Sequence, residues 1–111
     1  MEDKIDLNRL CVHTQTTKPW DLHTCIKEYH KVGIPHLSIW RHLLENQDLK
    51  LVKKALEGHQ LKVTSLVRGG FFPSVSKSLR KEAIQENKKA IDEAKAIGAP
   101  LVVLVCGADP K

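Results

Sequence analysis

The sequence predicts an α/β fold in which four parallel strands alternate with three helices, and three observations carry the prediction. Gly33, Gly58 and Gly98 each close a stretch of helical periodicity and are each followed by an aliphatic or β-branched run. The closed stretches have apolar residues three and four apart, the spacing of a helix with one buried face. The last apolar run, 101–106, carries no charge, as a strand covered on both faces requires. The order βαβαβαβ, with right-handed crossovers, leaves two architectures: an open doubly wound sheet or part of a (β/α)8 barrel.

The first strand is expected over residues 10–14 and the first helix over 19–32, with Pro19 in its opening turn and Leu22, Ile26, Tyr29 and Val32 as its stripe. A second strand, 37–40, precedes a helix over 48–57 that Asp48 caps and that buries Leu49, Val52, Ala55 and Leu56. The third strand is expected over 62–67. The third helix, 79–97, places Ala83, Ile84, Ala90, Ile91, Ala94 and Ile97 on one side. Lys77, Lys81, Lys88 and Lys89 then make its solvated face. The fourth strand, 101–106, is expected to be fully buried, yet the pattern ends at Lys111 before a covering helix. The expectation is one partial domain, 1–111, of a larger protein.

Composition narrows the function classes. A 41% apolar and 28% charged chain of 111 residues is ordinary for a globular domain. The net charge of +5 is spread through segments that also carry Asp and Glu, so a solvated surface is expected and no nucleic-acid partner. Cys11, Cys25 and Cys106 are widely spaced, form no C-x-x-C pair and read as reduced core thiols, which fits a cytoplasmic protein. No apolar stretch approaches the roughly 18 residues of a membrane span, so no membrane partner is expected.

In both architectures ligands sit at the carboxyl ends of the strands. After the first strand comes a polar stretch, His13 to Trp20, that includes Gln15. After the second come Trp40, Arg41 and His42, and after the third Arg68-Gly69-Gly70-Phe71-Phe72. Flat aromatic walls beside a guanidinium suit sugars or anionic groups. No phosphate-cradling glycine run follows the first strand, which leaves the doubly wound sheet without support.

The runs Leu37-Ser38-Ile39-Trp40-Arg41 and Ser65-Leu66-Val67-Arg68-Gly69-Gly70-Phe71-Phe72, and the passage 87–107 with Ile91-Asp92-Glu93-Ala94 and Val103-Leu104-Val105-Cys106-Gly107, resemble the sugar phosphate isomerase/epimerase family. The resemblance implies the N-terminal half of a xylose isomerase-like (β/α)8 TIM barrel. It further implies isomerisation or epimerisation of a sugar, sugar phosphate or polyol, assisted by a divalent metal (Mn, Mg or Zn) in the complete protein. Such chemistry needs a general base and an electrophile. The family's Glu, Asp, His and Glu set resembles groups from later strands, so no metal and no catalytic residue is expected in this chain alone. The endonuclease IV-like branch, which uses His after early strands for zinc, is disfavoured because the third strand here runs into Arg68 and the fourth into Cys106-Gly107.

The residues assigned to substrate contact are Gln15, Trp40, Arg41, Arg68, Gly69, Gly70 and Phe72. Trp40 is open to a second reading as a plug of the barrel mouth, and Arg68 to one as the partner of a carboxylate. His13, His23, His30, His36, His42 and His59 show no metal-ligand spacing and are read as non-ligands. Two functions follow: the substrate-contacting half of an isomerase or epimerase, inactive alone, or a non-enzymatic half barrel that binds a small ligand or a partner. Open strand edges at 10–14 and 101–106 lead us to expect self-association.

Overall fold

A computed structural model describes residues 6–70 and 73–106 of the chain. Its four strands, β1 (Cys11–His13), β2 (His36–Trp40), β3 (Lys62–Gly70) and β4 (Val102–Val105), form one parallel sheet in the order β1-β2-β3-β4. Helices α1 (Leu22–Lys31), α2 (Leu49–Gly58) and α3 (Lys77–Ile97) connect them. Sequential order with parallel pairing is what a barrel wall requires and a doubly wound sheet forbids, since the latter reverses direction at its switch point.

Each helix starts on a side-chain cap. Asp21, Asp48 and Ser76 accept from the backbone N–H groups of Thr24, Lys50 and Leu79 respectively. Asp21 is the reason α1 begins three residues later than Pro19 suggests: the carboxylate fixes the helix start, and the α1 amides hold that carboxyl below its usual range. Gly98, at φ 80, ends α3 in the left-handed conformation glycine tolerates. α2 stops differently. Gly58 is its last helical residue, and the left-handed turn falls to Gln60 at φ 56.

Strand pleating sorts residues onto two faces. Leu37, Ile39, Val63 and Leu66 lie on the helix side and are buried with Leu22, Cys25, Ile26 and Tyr29 of α1, Val52 and Leu56 of α2, and Ala94 and Ile97 of α3. At roughly 25 cal/mol for each Å² removed from water, this one cluster is the main stabilising term of the fold. The other face carries His13, Ser38 and Ser65 in one row and Trp40 beside Val67 in the next. Ser38 is fully buried, and its hydroxyl donates to the Ser65 carbonyl and also hydrogen-bonds the Ser65 hydroxyl.

Several expectations need correction. β4 is not fully buried: Leu101, Val103, Leu104 and Val105 are 52%, 37%, 55% and 36% exposed, because among the described residues the strand has a neighbour only on its β3 side. Cys106, read as a buried thiol, is exposed with it, and Cys11 is half-buried, leaving Cys25 as the core thiol. Ile84 and Ile91 of α3, read as part of its apolar face, are exposed, whereas Ala90, Ala94 and Ile97 are buried. No helix among the described residues is long and apolar enough to cross a membrane.

Candidate binding site at the strand carboxyl ends

Buried hydroxyls build the mouth of the sheet. The chain leaves β1 in a single 3-10 turn, Thr14–Thr17. Thr14, 1% exposed, accepts the backbone N–H of Trp40 at 3.0 Å and so ties this turn to the end of β2. Thr17 anchors it from the other side, with its hydroxyl 2.6 Å from the Tyr29 hydroxyl and 3.4 Å from the Cys25 sulfur on α1. Burial pushes the Tyr29 phenol up to about 12, so its O–H stays protonated and available to Thr17. Gln15 and Lys18 are carried at the mouth by this doubly pinned turn.

Trp40 ends β2 with its indole on the inner face. Its ring N–H points to Nδ1 of His13 at 3.3 Å, and the guanidinium of Arg68 lies 5.9 Å from the ring centroid, within cation–π range. Because an indole nitrogen only donates, Nδ1 of His13 is the acceptor and its proton sits on Nε2. Gln15, Lys18, Trp40, Arg41, His42, Val67 and Arg68 together line a cavity of about 400 Å³. Oε1 of Gln15 is buried without a hydrogen-bond partner among the described residues.

The assigned contact residues thus separate into groups. Gln15, Trp40 and Arg68 converge on this cavity. Arg41 also reaches its wall, but its guanidinium is turned to α3: Nε and Nη2 donate to the two carboxylate oxygens of Glu93 at 3.0 Å each, and Nη2 also donates to Glu86 at 2.8 Å. The Glu93 hydrogen bonds, and then the one to Glu86, raise the Arg41 pKa against the opposing effect of burial. Arg41 thereby clamps the turn after β2 to α3, and this clamp also forms one wall of a second cavity, of about 360 Å³.

Gly69 and Gly70 lie inside β3, and what approaches them is the chain itself. Gly70 donates to Oδ1 of Asn87 at 2.5 Å, and Nδ2 of Asn87 donates back to the Gly70 carbonyl at 2.9 Å and to the Ala83 carbonyl at 2.7 Å. A Cβ on Gly69 would strike Asn87, and one on Gly70 would strike the backbone of Val105. Phe72 lies outside the described residues.

Two residues of the mouth escaped the sequence reading. His13 was read as one of six unremarkable histidines, although alternation along Cys11-Val12-His13 already puts it on the face opposite Val12. Lys18 gave no local signal, because only the fold of the 3-10 turn brings it beside Arg68. No three His, Cys, Asp or Glu side chains among the described residues are grouped to hold a metal ion. The divalent metal that the fold implies therefore does not fit the described residues.

No protein-family model matches the chain, and no curated protein sequence does. Solved structures do. Protein SMc04130 from Sinorhizobium meliloti 1021 is 32% identical, with a TM-score of 0.87, over 96% of this chain and 39% of its own length. A xylose isomerase domain-containing protein from Salmonella typhimurium LT2 has a TM-score of 0.81 at 12% identity, covering 99% of this chain and 41% of that one. The IolI protein, solved with a bound zinc atom, has a TM-score of 0.78 at 21% identity, over 91% of this chain and 38% of its own. The chain thus spans about two fifths of the length of the structures it resembles. With four parallel strands in sequential order, three connecting helices and these likenesses, the chain has the fold of a xylose isomerase-like TIM barrel, of which it presents four consecutive strands.

Proposed function

We propose that the chain supplies the substrate-contacting wall of a sugar or polyol isomerase or epimerase. The observation that carries this reading is the cavity at the strand carboxyl ends, where Gln15, Trp40 and Arg68 converge. An indole face, a guanidinium and a side-chain amide are the groups that bind a ring of hydroxyls. Within this reading Arg41, Gly69 and Gly70 shape the wall, and Phe72 is assigned as a further contact. The proton-moving carboxylates and the metal are supplied by residues outside the described ones, and the 111-residue chain alone turns over no sugar. Titrating the chain with aldoses, ketoses and polyols while following Trp40 fluorescence tests the reading, with Trp40→Phe as the control that leaves Trp20 as the only indole. Saturable quenching lost in Trp40→Phe supports it; no response to any of these compounds overturns it, and turnover with added manganese overturns the division of labour.

A second reading is favoured by the exposed β4 edge. Leu101, Val103, Leu104 and Val105 present exposed apolar side chains, and among the described residues β4 pairs with a strand on its β3 side alone, the arrangement that recruits another strand. In this reading the chain is a non-enzymatic half barrel, and β4 of one copy pairs with β1 of another, giving eight strands around a closed ring. Light scattering decides it: a monodisperse monomer at high concentration removes the dimer.

A further inference from the structure

We infer that His30 and His59 form a site for a divalent transition-metal ion of the zinc class, at the end of the sheet opposite the mouth. His30 lies in the last turn of α1, and His59 is the C-cap of α2. Both helices run back from the mouth and end just before β2 and β3 begin, so the two histidines sit at the amino ends of the strands. Their rings lie there with centres 5.3 Å apart and planes at 85°.

That spacing is the one a shared ion demands. With metal–nitrogen bonds of about 2.0–2.1 Å and ~1.1 Å more from nitrogen to ring centre, two imidazoles on one tetrahedral ion have centres about 5.2 Å apart. Adjacent ligands of an octahedral ion would bring the centres closer, to about 4.5 Å. Each ring can turn about its own metal–nitrogen bond, so crossed planes are no obstacle.

One ring is already set for the task. Nδ1 of His59 is 2.8 Å from the Ala55 carbonyl oxygen, which only accepts, so Nδ1 carries the proton and the lone pair is on Nε2. Metal-bound histidines are commonly held in this way, with the outer ring N–H on a backbone carbonyl. His30 is exposed, which leaves its ring room to turn a nitrogen toward the ion. Both helices also direct their C-terminal ends here, where the negative ends of the helix dipoles favour a cation. No third His, Cys, Asp or Glu is grouped with the pair among the described residues. Water therefore completes the shell, and the ion acts as a clip between α1 and α2 with no part in chemistry at the mouth.

The test uses the whole 111-residue chain, untagged and labelled with nitrogen-15, and follows the histidine ring nitrogens as zinc chloride is added. The rings of His30 and His59 are expected to shift together and saturably, with Nδ1 of His59 keeping its proton, while those of His13, His23 and His42 stay in place. Magnesium chloride, whose hard ion prefers oxygen ligands, should move none of them. His30→Ala should weaken zinc binding by roughly tenfold or more, at least what loss of an outer-shell partner costs, and His23→Ala near the start of α1 should leave it unchanged. His30 is exposed, so its loss leaves the fold intact, and zinc should raise the melting temperature of the wild-type chain but not that of His30→Ala.

A zinc affinity indifferent to His30→Ala, a shift of one ring without the other, equal binding of magnesium, or no shift at millimolar zinc overturns the inference. Each of those outcomes leaves the sugar-site reading untouched, because no residue of the mouth takes part.

Discussion

On its helix-covered face the sheet presents Leu37, Ile39, Val63 and Leu66, all buried against three helices. On the other face the same strands present His13, Ser38, Trp40 and Ser65, linked by hydrogen bonds from hydroxyl to hydroxyl and indole to imidazole. Neighbours along one strand, such as Ser38 and Ile39, are both fully buried and yet belong to different kinds of interior. The apolar face gains its stability from area removed from water, which is non-directional and tolerant of exchange. The polar face holds only while each donor meets its acceptor, which makes it directional and suited to fixing the mouth.

Substitutions test that contrast. The largest effect is expected from Leu66→Ala on the apolar face, a loss of about 2–5 kcal/mol from transfer and cavity terms, read by urea unfolding. An unchanged midpoint would mean that the helix layer does not hold the sheet. Gly70→Ala comes next, at about 1–3 kcal/mol, because the residue sits at φ 104 and a Cβ there meets the Val105 backbone. Hydrogen exchange should show the Val102–Val105 amides losing protection first while β1 and β2 stay closed; uniform loss across the sheet breaks the account of how β4 is attached.

Smaller effects sharpen the picture. Arg41→Ala should cost about 1–2 kcal/mol by leaving the half-buried Glu93 carboxylate unpaired, without changing ligand affinity at the mouth. A loss of affinity larger than the loss of stability would move Arg41 from clamp to ligand contact. Ser38→Ala, on the polar face, should cost about 1 kcal/mol, well below Leu66→Ala, as thermal melts of the two variants will show.

The least is expected from pH. The Tyr29 phenol is raised from 10.0 to about 12, chiefly by burial, so its contribution is fully present below pH 10 and is lost as pH rises through about 12. Tyr29→Phe should flatten that part of the stability profile. An identical alkaline fall in the variant would assign it to other groups.

The outline of the fold was legible because it rests on local signals. Asp48 and Gly98 sit where caps belong, and the apolar stripes fall on the helices they predict except at Val32, which lies past the end of α1, and at Ile84 and Ile91, which are exposed. The rest depended on contacts far apart in sequence. Glu86 and Glu93 read as part of a solvated helix surface until the fold brings them to Arg41, 45 and 52 residues away. Arg68-Gly69-Gly70 read as a ligand loop, yet the two glycines are strand residues that admit Asn87 and β4.

What the residues settled unaided was the alternation of strand and helix and the parallel sheet it implies, because periodicity, caps and glycine stops act over a few neighbouring positions. Which side of each strand became core and which became mouth, and that Arg41 was taken by the α3 carboxylates, was decided only in three dimensions. Burial and ion pairing are properties of groups that the chain brings together from a distance.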